Sequence, residues 1–381
     1  MTSRAETSRA ETSSPSETVP ATGGETPDGG AALEAIEHCY AQGWTDGLPV
    51  APCTPDLLAR FLDTVDRDPD DVVLDMPQLN RRCTVRLAAI NAAMAGCLPE
   101  YFPVVLAAWD SVAAEGYAGR GIWQSTTGCG TLLLVNGPVR DRIGLNSRNN
   151  VLGAGFRANA TIGRAIRLAV VTVFGLRPGE LDQATQGTPA KYTCCIAENE
   201  DESPWPPLHA DHGHGRQEST VTAMTMRSTA HVEARHTVVG EQLLHDLADT
   251  VSRTGALLHE RLSACLLLGP EHAHMLADQG WTKRGVSEFV YEHAVRTRAA
   301  LDRVGKGSVS GRTRWRVPHD HPDAVRDDGT GAGPDAVRVV GSPDAVLVAV
   351  AGAGNSGVSS VVETFGPRGG SPAMTRVEER S

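Results

Sequence analysis

Lysine is almost missing from this chain. Of 35 basic residues only Lys191, Lys283 and Lys306 are lysine, and the rest are arginine. With abundant Ala, Gly, Val and Asp, that bias marks a GC-rich genome. Aromatic side chains are scarce as well, at 4%, so the core has to be built from small and aliphatic residues. No window approaches the run of about 18 apolar residues that a membrane-spanning helix needs. The eight cysteines (Cys39, Cys53, Cys83, Cys97, Cys129, Cys194, Cys195 and Cys265) include no CxxC pair. Their scatter excludes a zinc ribbon and suits reduced thiols in a cytoplasm better than a disulfide framework. Basic residues are also outnumbered, 35 against 46 acidic ones, for a net charge of −11. That balance argues against nucleic acid or an anionic membrane as the main partner, while leaving room for a local basic pocket. Residues 1–30 are Ser, Thr, Glu, Pro and Gly with TSRAE in tandem and no apolar h-region after the start, which predicts a disordered tail and not a secretory signal.

What is present is a chain of 381 residues, 40% hydrophobic, long enough for one large domain or two. Helical spacing is read over 32–42, 55–65, 85–97, 103–114, 158–172, 240–258, 272–279 and 286–303. Apolar runs at 131–135, 264–268, 337–340 and 345–350 read as strands, and 220–235 alternates like strands or a hairpin. Strands interleaved with helices predict an α/β or α+β fold, a mixed sheet with helices on its faces, in two lobes. The expected division is a tail over 1–30, a main domain over 31–207, a second lobe over 208–305, a loop over 306–335, and strands with a Gly-rich turn over 336–381.

The main candidate site is the polar loop from Gly144 to Arg157 that runs into the 158–172 helix. A helix N-terminus presents unpaired N–H groups and partial positive charge. Gly153 and Gly155 permit close approach, Arg148, Arg157 and Arg164 offer forked donors, and Asn146, Asn149, Asn150 and Asn159 add neutral ones. Asn136, in the Asn-Gly-Pro turn closing the strand before it, is expected to help polarise the ligand, and Lys191 to add a cation. The ligand class that fits is a small anionic, carboxylated metabolite. Cys129, between Gly128 and Gly130, and Cys195, near Lys191, are candidate nucleophiles or thiol donors, since a neighbouring cation eases deprotonation; for either one the ordinary alternative is a small buried hydrophobe. Asp46 and His209 are candidate proton carriers, with an Asx-turn acceptor as the plain reading of Asp46. Glu198 and Glu200 share that ambiguity and on a helix would face apart. His209, His212 and His214 form an HxxHxH run that a metal could use, though no HExxH accompanies it and no cofactor is expected with any firmness. Gly352 to Gly357 matches GxGxxG, but too little chain follows to complete a dinucleotide fold.

Four segments together, Gly43-Trp44-Thr45-Asp46-Gly47-Leu48-Pro49-Val50, Asn136-Gly137-Pro138, Arg157-Ala158-Asn159-Ala160-Thr161-Ile162-Gly163-Arg164, and Lys191-Tyr192-Thr193 with Ala197-Glu198-Asn199-Glu200, resemble a poorly characterised bacterial family. The resemblance covers most of Ala31–Arg303. Members of that family tend to accompany a small redox-type protein with a (seleno)cysteine-Gly-Ser-Cys motif, which implies a two-component, reductive or thiol-dependent system. The functional expectation is therefore an enzyme of small-molecule metabolism, a lyase or reductase, working with a small partner protein. The alternatives are a non-catalytic anion-binding or scaffold subunit and a His-based metal-dependent hydrolase. A homo-oligomeric state is left open.

Overall fold

The computed structural model describes residues 29–115, 121–253, 262–304, 336–365 and 373–380. The expected tail lies outside these residues except for Gly29 and Gly30, which open the first helix, and the loop expected over 306–335 lies outside them entirely. The helices are α1 (Gly29–Ala41), α2 (Pro55–Leu62), α3 (Val85–Met94), α4 (Phe102–Glu115), α5 (Val139–Arg142) and α6 (Arg157–Thr172), then α7 (Leu208–Asp211), α8 (Gly240–Arg253), α9 (Pro270–Asp278), α10 (Lys283–His293) and α11 (Arg298–Arg303). The strands are β1 (Val72–Met76), β2 (Arg81–Thr84), β3 (Gly130–Asn136), β4 (Cys195–Ala197), β5 (Thr220–Glu233) and β6 (Leu262–Leu268), then β7 (Val295–Thr297), β8 (Ala336–Arg338), β9 (Val346–Val350), β10 (Val358–Phe365) and β11 (Met374–Arg376).

Local chemistry sets several of these boundaries. Thr54, Thr84 and Thr282 each cap a helix by accepting a hydrogen bond from the N–H three residues on, at Leu57, Leu87 and Gly285, which satisfies one of the donors a helix start leaves unpaired. Strand β3 ends because Gly137 turns the chain at φ +84° with its Cα face against the Glu218 carbonyl, a position with no room for a Cβ.

The main sheet is mixed, ordered β4-β3-β5-β10-β6-β9, with β11 pairing β5. Its two halves repeat one plan. In the first, β4 runs parallel to β3 and β5 antiparallel to it; in the second, β9 runs parallel to β6 and β10 antiparallel to it. The antiparallel β5/β10 pair joins the halves. One sheet thus draws strands from all three ordered segments read from the sequence.

Alternation along the strands sorts side chains into separate cores. Leu133 and Val135 face the helices of the first half, where α3, α4 and α6 pack, while Leu132 and Leu134 point inward to join Met224, Cys265, Leu267 and Ala349 inside the curled sheet. In the second half Leu266, Leu268, Val348 and Val350 meet α8, α9 and α10. The segment expected to form strands or a hairpin, 220–235, is a single 14-residue strand over Thr220–Glu233 shared by both halves. Gly352–Gly357 leads from β9 into strand β10 and not into a helix, so no helix N-terminus stands behind that GxGxxG.

The two edge strands meet at their C-terminal ends. Asn199 N–H donates to the Val350 carbonyl at 2.7 Å, and the Asn199 side-chain amide donates to Gly352. Between them sits Glu198, fully buried. Its carboxylate accepts from Asn136 Nδ2 at 2.5 Å, Leu208 N–H at 2.7 Å and Lys283 Nζ at 3.2 Å. Lys283 comes from α10 in the second half and also donates to the Pro206 carbonyl at 2.6 Å. Removing one partner of a buried ion pair leaves an uncompensated charge and costs about 3–5 kcal/mol. Glu198→Ala is therefore expected to lower the unfolding free energy by roughly 3 kcal/mol in urea titration; a change below about 0.5 kcal/mol, the range of an ordinary surface substitution, would remove Glu198 as the closure of the sheet.

Candidate functional site

The structure separates the residues that the sequence grouped at the start of α6. Arg148 is bound by Glu202 at 2.8 Å and Asp201 at 3.3 Å. Arg157 Nε donates to the Gly96 carbonyl at 2.9 Å. Arg164 makes a two-point ion pair with Asp46, 2.9 and 2.8 Å, and donates to the Leu48 and Pro49 carbonyls. The three guanidinium groups thus point to different protein partners and do not converge on the helix start. Asn159 is buried and ties Asn146 N–H and carbonyl to the Cys195 carbonyl. The flank of Gly153 is filled by the Asn150 side chain, not by open space. Asn136, expected to polarise a ligand, holds the chain's own Glu198 and Glu200. Those two carboxylates share a partner because Glu198 follows the end of β4 and Glu200 opens a short 3-10 turn after it, so they do not stand on one regular helix.

Both candidate thiols are enclosed. The glycines flanking Cys129 do not open it to solvent: a Cβ on Gly128 would meet Gly187 Cα at 2.7 Å, and one on Gly130 would meet Ala190 at 2.6 Å. These glycines admit the 184–190 loop against β3, and Cys129 is left 1% exposed. Burial pushes its thiol up to about 11. Cys195 is buried on β4, and burial, with the neighbouring thiols Cys194 and Cys97, raises it well above the ordinary thiol value. Both conditions oppose thiolate formation at neutral pH. His209 is fully buried, with Nδ1 4.0 Å from Glu200. His214 instead faces Glu218. Among the described residues no three His, Cys, Asp or Glu side chains are grouped to hold a metal ion, His209, His212 and His214 included.

Two of the expected residues, Asp46 and Lys191, do meet around one cavity. It has a volume of ≈440 Å³ and is also lined by Thr45, Arg167, Arg177, Thr188 and Tyr192. Three elements build it. The loop after α1 supplies Thr45 and Asp46, with Gly47 and Leu48 N–H bonded back to their side chains. The outer face of α6 supplies Arg167 and Val171, and the turn before β4 supplies Thr188, Lys191 and Tyr192. Gly163 lets that last segment lie against α6, since a Cβ there would meet Thr193 Oγ1 at 2.6 Å.

The electrostatics of the cavity centre on Asp182, whose side chain is 1% exposed. Arg167 Nη2 lies 2.7 Å from it, and Lys191 Nζ 2.8 and 2.6 Å from its two oxygens. Burial opposes its ionisation, but hydrogen bonds from Lys191, Arg167 and Ala184 N–H prevail and hold it below the ordinary carboxylate value. Arg177 has one nitrogen on the Gly43 carbonyl at 2.7 Å, and its side chain lines the cavity. Arg164, Arg167, Arg177 and Lys191 therefore face two carboxylates, Asp46 and Asp182, and positive charge is left over in a chain whose net charge is −11. Arg167, Arg177 and Asp182 were missed by the sequence reading. Arg167 had a signal, since it lies three residues after Arg164 and so neighbours it on the helix surface; Arg177 and Asp182 sit in an irregular loop with none.

No family model, curated protein or solved structure matches this chain. Among the described residues no helix is long and apolar enough to cross a membrane.

Two outcomes follow from the burial and charges above. Iodoacetamide applied to the folded protein near neutral pH should leave Cys129 and Cys195 unmodified by mass spectrometry until denaturant is added; labelling of Cys195 at the rate of an unfolded thiol would restore it as a nucleophile. Because the folded Asp182 sits below its unfolded value, its stabilisation is complete above the ordinary carboxylate value of about 4 and is lost as pH falls through the folded one. Wild type should thus exceed Asp182→Asn in stability at pH 7, with the gap closing in acid; a gap that stays constant down to about pH 2 would contradict the ion triad.

Proposed function

We propose that this protein binds a small carboxylated metabolite in the cavity between Arg167, Arg177 and Lys191. The observation that supports this is the surplus of guanidinium and ammonium groups around a half-open hollow of ≈440 Å³. Such a space suits a metabolite and is far too small for a macromolecular partner. The anion expected from the sequence is kept in this reading, but its seat moves from the start of α6 to the outer face of that helix.

A carboxylate is preferred over other anions because of Arg177. Its guanidinium is anchored at one nitrogen by Gly43, which fixes the plane and leaves further N–H donors to meet two oxygens side by side. Lys191 and Arg167, held in place by Asp182, act as point charges whose positions are set before the ligand arrives, so little ordering is needed on binding. Tyr192, 57% exposed at the rim, supplies an aromatic face and a hydroxyl.

Asp46 is locked by Arg164 and Lys191 by Asp182, so the cavity as arranged recognises an anion more readily than it moves a proton. None of the eight cysteines lines it. A second reading follows from that last point: thiol-dependent chemistry on the bound anion is delivered by a separate small redox-type protein, with this chain as the substrate-holding subunit. All eight of its own cysteines are free, which supports a reducing, cytoplasmic setting for both readings.

Isothermal titration with succinate, benzoate, acetate and phosphate tests the main reading. At least one carboxylate should bind with one-to-one stoichiometry, more weakly as salt rises. Arg177→Gln should raise its Kd by about tenfold, equal to about 1.4 kcal/mol. Absence of binding by every carboxylate, or an unchanged Kd in folded Arg177→Gln, would defeat it.

A further inference from the structure

A second cavity lies on the other side of the Trp44–Asp46 loop, and its chemistry is different. Its volume is ≈660 Å³, and most of its wall is apolar: Leu58 from α2, and Leu87, Ile90 and Met94 from α3, with Val173 just past α6. Trp44, 45% exposed, forms part of its edge. The polar groups within the wall are already satisfied. Asn91 Nδ2 donates to the Leu87 carbonyl at 2.9 Å, and Asn91 Oδ1 accepts from Thr172 Oγ1 at 2.7 Å.

Two cations complete the lining. Arg81 and Arg82, both exposed on β2, line the cavity, and among the described residues neither guanidinium makes an ion pair or hydrogen bond, although Arg82 stands opposite Asp75 in the β1/β2 ladder. This sets them apart from the arginines at the first cavity and around α6, each of which is tied to an acid or a carbonyl. Arg81 is held in position by packing instead: its guanidinium occupies the space above Gly175, where a Cβ would collide with Nη1. The φ of +67° at Gly175 favours glycine there, and the missing side chain leaves the space that the guanidinium fills. A positioned guanidinium beside an apolar hollow, with no internal counter-ion, is complementary to a ligand that carries its charge at one end.

We infer that this cavity binds a medium-chain fatty carboxylate, its tail against Leu58, Leu87, Ile90, Met94 and Val173 and its head on Arg81 and Arg82. The site is independent of the first cavity, whose charged lining is Arg167, Arg177, Lys191 and Asp46 among neutral residues and whose proposed ligand is a compact polar anion. Trp44 lies on one side of the shared loop and Asp46 on the other, so an indole beside the tail provides a spectroscopic report of occupancy.

Decanoate is the probe. Titrated into the full chain, it should bind saturably with a change in tryptophan fluorescence that is abolished in Trp44→Phe while calorimetric binding persists. Arg81→Gln/Arg82→Gln should weaken it by about tenfold or more, and decanol, which has the tail but no charge, should bind the wild type at least about tenfold more weakly than decanoate. Arg177→Gln should leave decanoate binding unchanged, and excess acetate should not displace it. Circular dichroism of each variant verifies the fold, and the decanol comparison needs no variant at all. The inference is overturned if decanoate shows no saturable binding, if decanol binds as well as decanoate, or if acetate displaces decanoate and Arg177→Gln abolishes its binding, which would place it in the first cavity.

Discussion

The buried carboxylate of Glu198 is the point on which the architecture closes. It sits where the edge strands β4 and β9 converge and takes hydrogen bonds from Asn136 of the first half and Lys283 of the second. A carboxylate without solvent is tolerable only when its lone pairs are met and its charge is answered, and here a lysine, an amide and a backbone N–H do both. The consequence reaches the surface. With β4 fixed at its far end, the turn that precedes it, from Thr188 to Tyr192, is held against α6, and the walls of the cationic cavity keep their spacing. Glycines at 128, 130 and 163 serve the same end by letting backbone approach where a side chain would intervene.

The two cavities show how one loop divides two kinds of chemistry. Gly43 to Val50 is pinned by Arg164, which bonds both Asp46 and the carbonyls of Leu48 and Pro49. That single guanidinium neutralises Asp46 and fixes the partition, so the charge on one side is left to Arg167, Arg177 and Lys191 while the other side stays apolar up to Arg81 and Arg82. The motifs that stand out in the sequence around Trp44, Gly163 and Lys191 are thus largely the framework of this partition, and the residues with free donors are their neighbours.

Much of the fold was legible because its signals are local. Leu57, Leu58, Phe61 and Leu62 announce α2 by their spacing, Asn136-Gly137-Pro138 announces the end of β3, and the apolar stripe of α6 is regular. Strand β10 was not legible. It occupies the middle of the sheet yet reads VSSVVETF, because its polar side chains are satisfied by neighbours distant in sequence: Ser359 by His272, Thr364 by Ser263 and Glu363 by Arg227. The site was half legible for a similar reason. Asp46, Arg164 and Lys191 lie in marked motifs, but which of them is free depends on Asp182 and Arg177, placed by an irregular loop, and no residue spacing records that Arg164 is consumed by Asp46. The buried thiols mislead in the same way: the glycines around Cys129 look like an opening and are in fact filled by the backbone of another loop.

The central claim is that positive charge left over between Arg167, Arg177 and Lys191 seats a carboxylate. Anomalous diffraction from crystals soaked in bromosuccinate tests it directly, since bromine marks the ligand without reference to any activity. The account predicts a bromine peak inside that cavity with a carboxylate facing the Arg177 guanidinium. Bromine at the start of α6 beside Arg148 and Arg157, with the cavity empty, would contradict it.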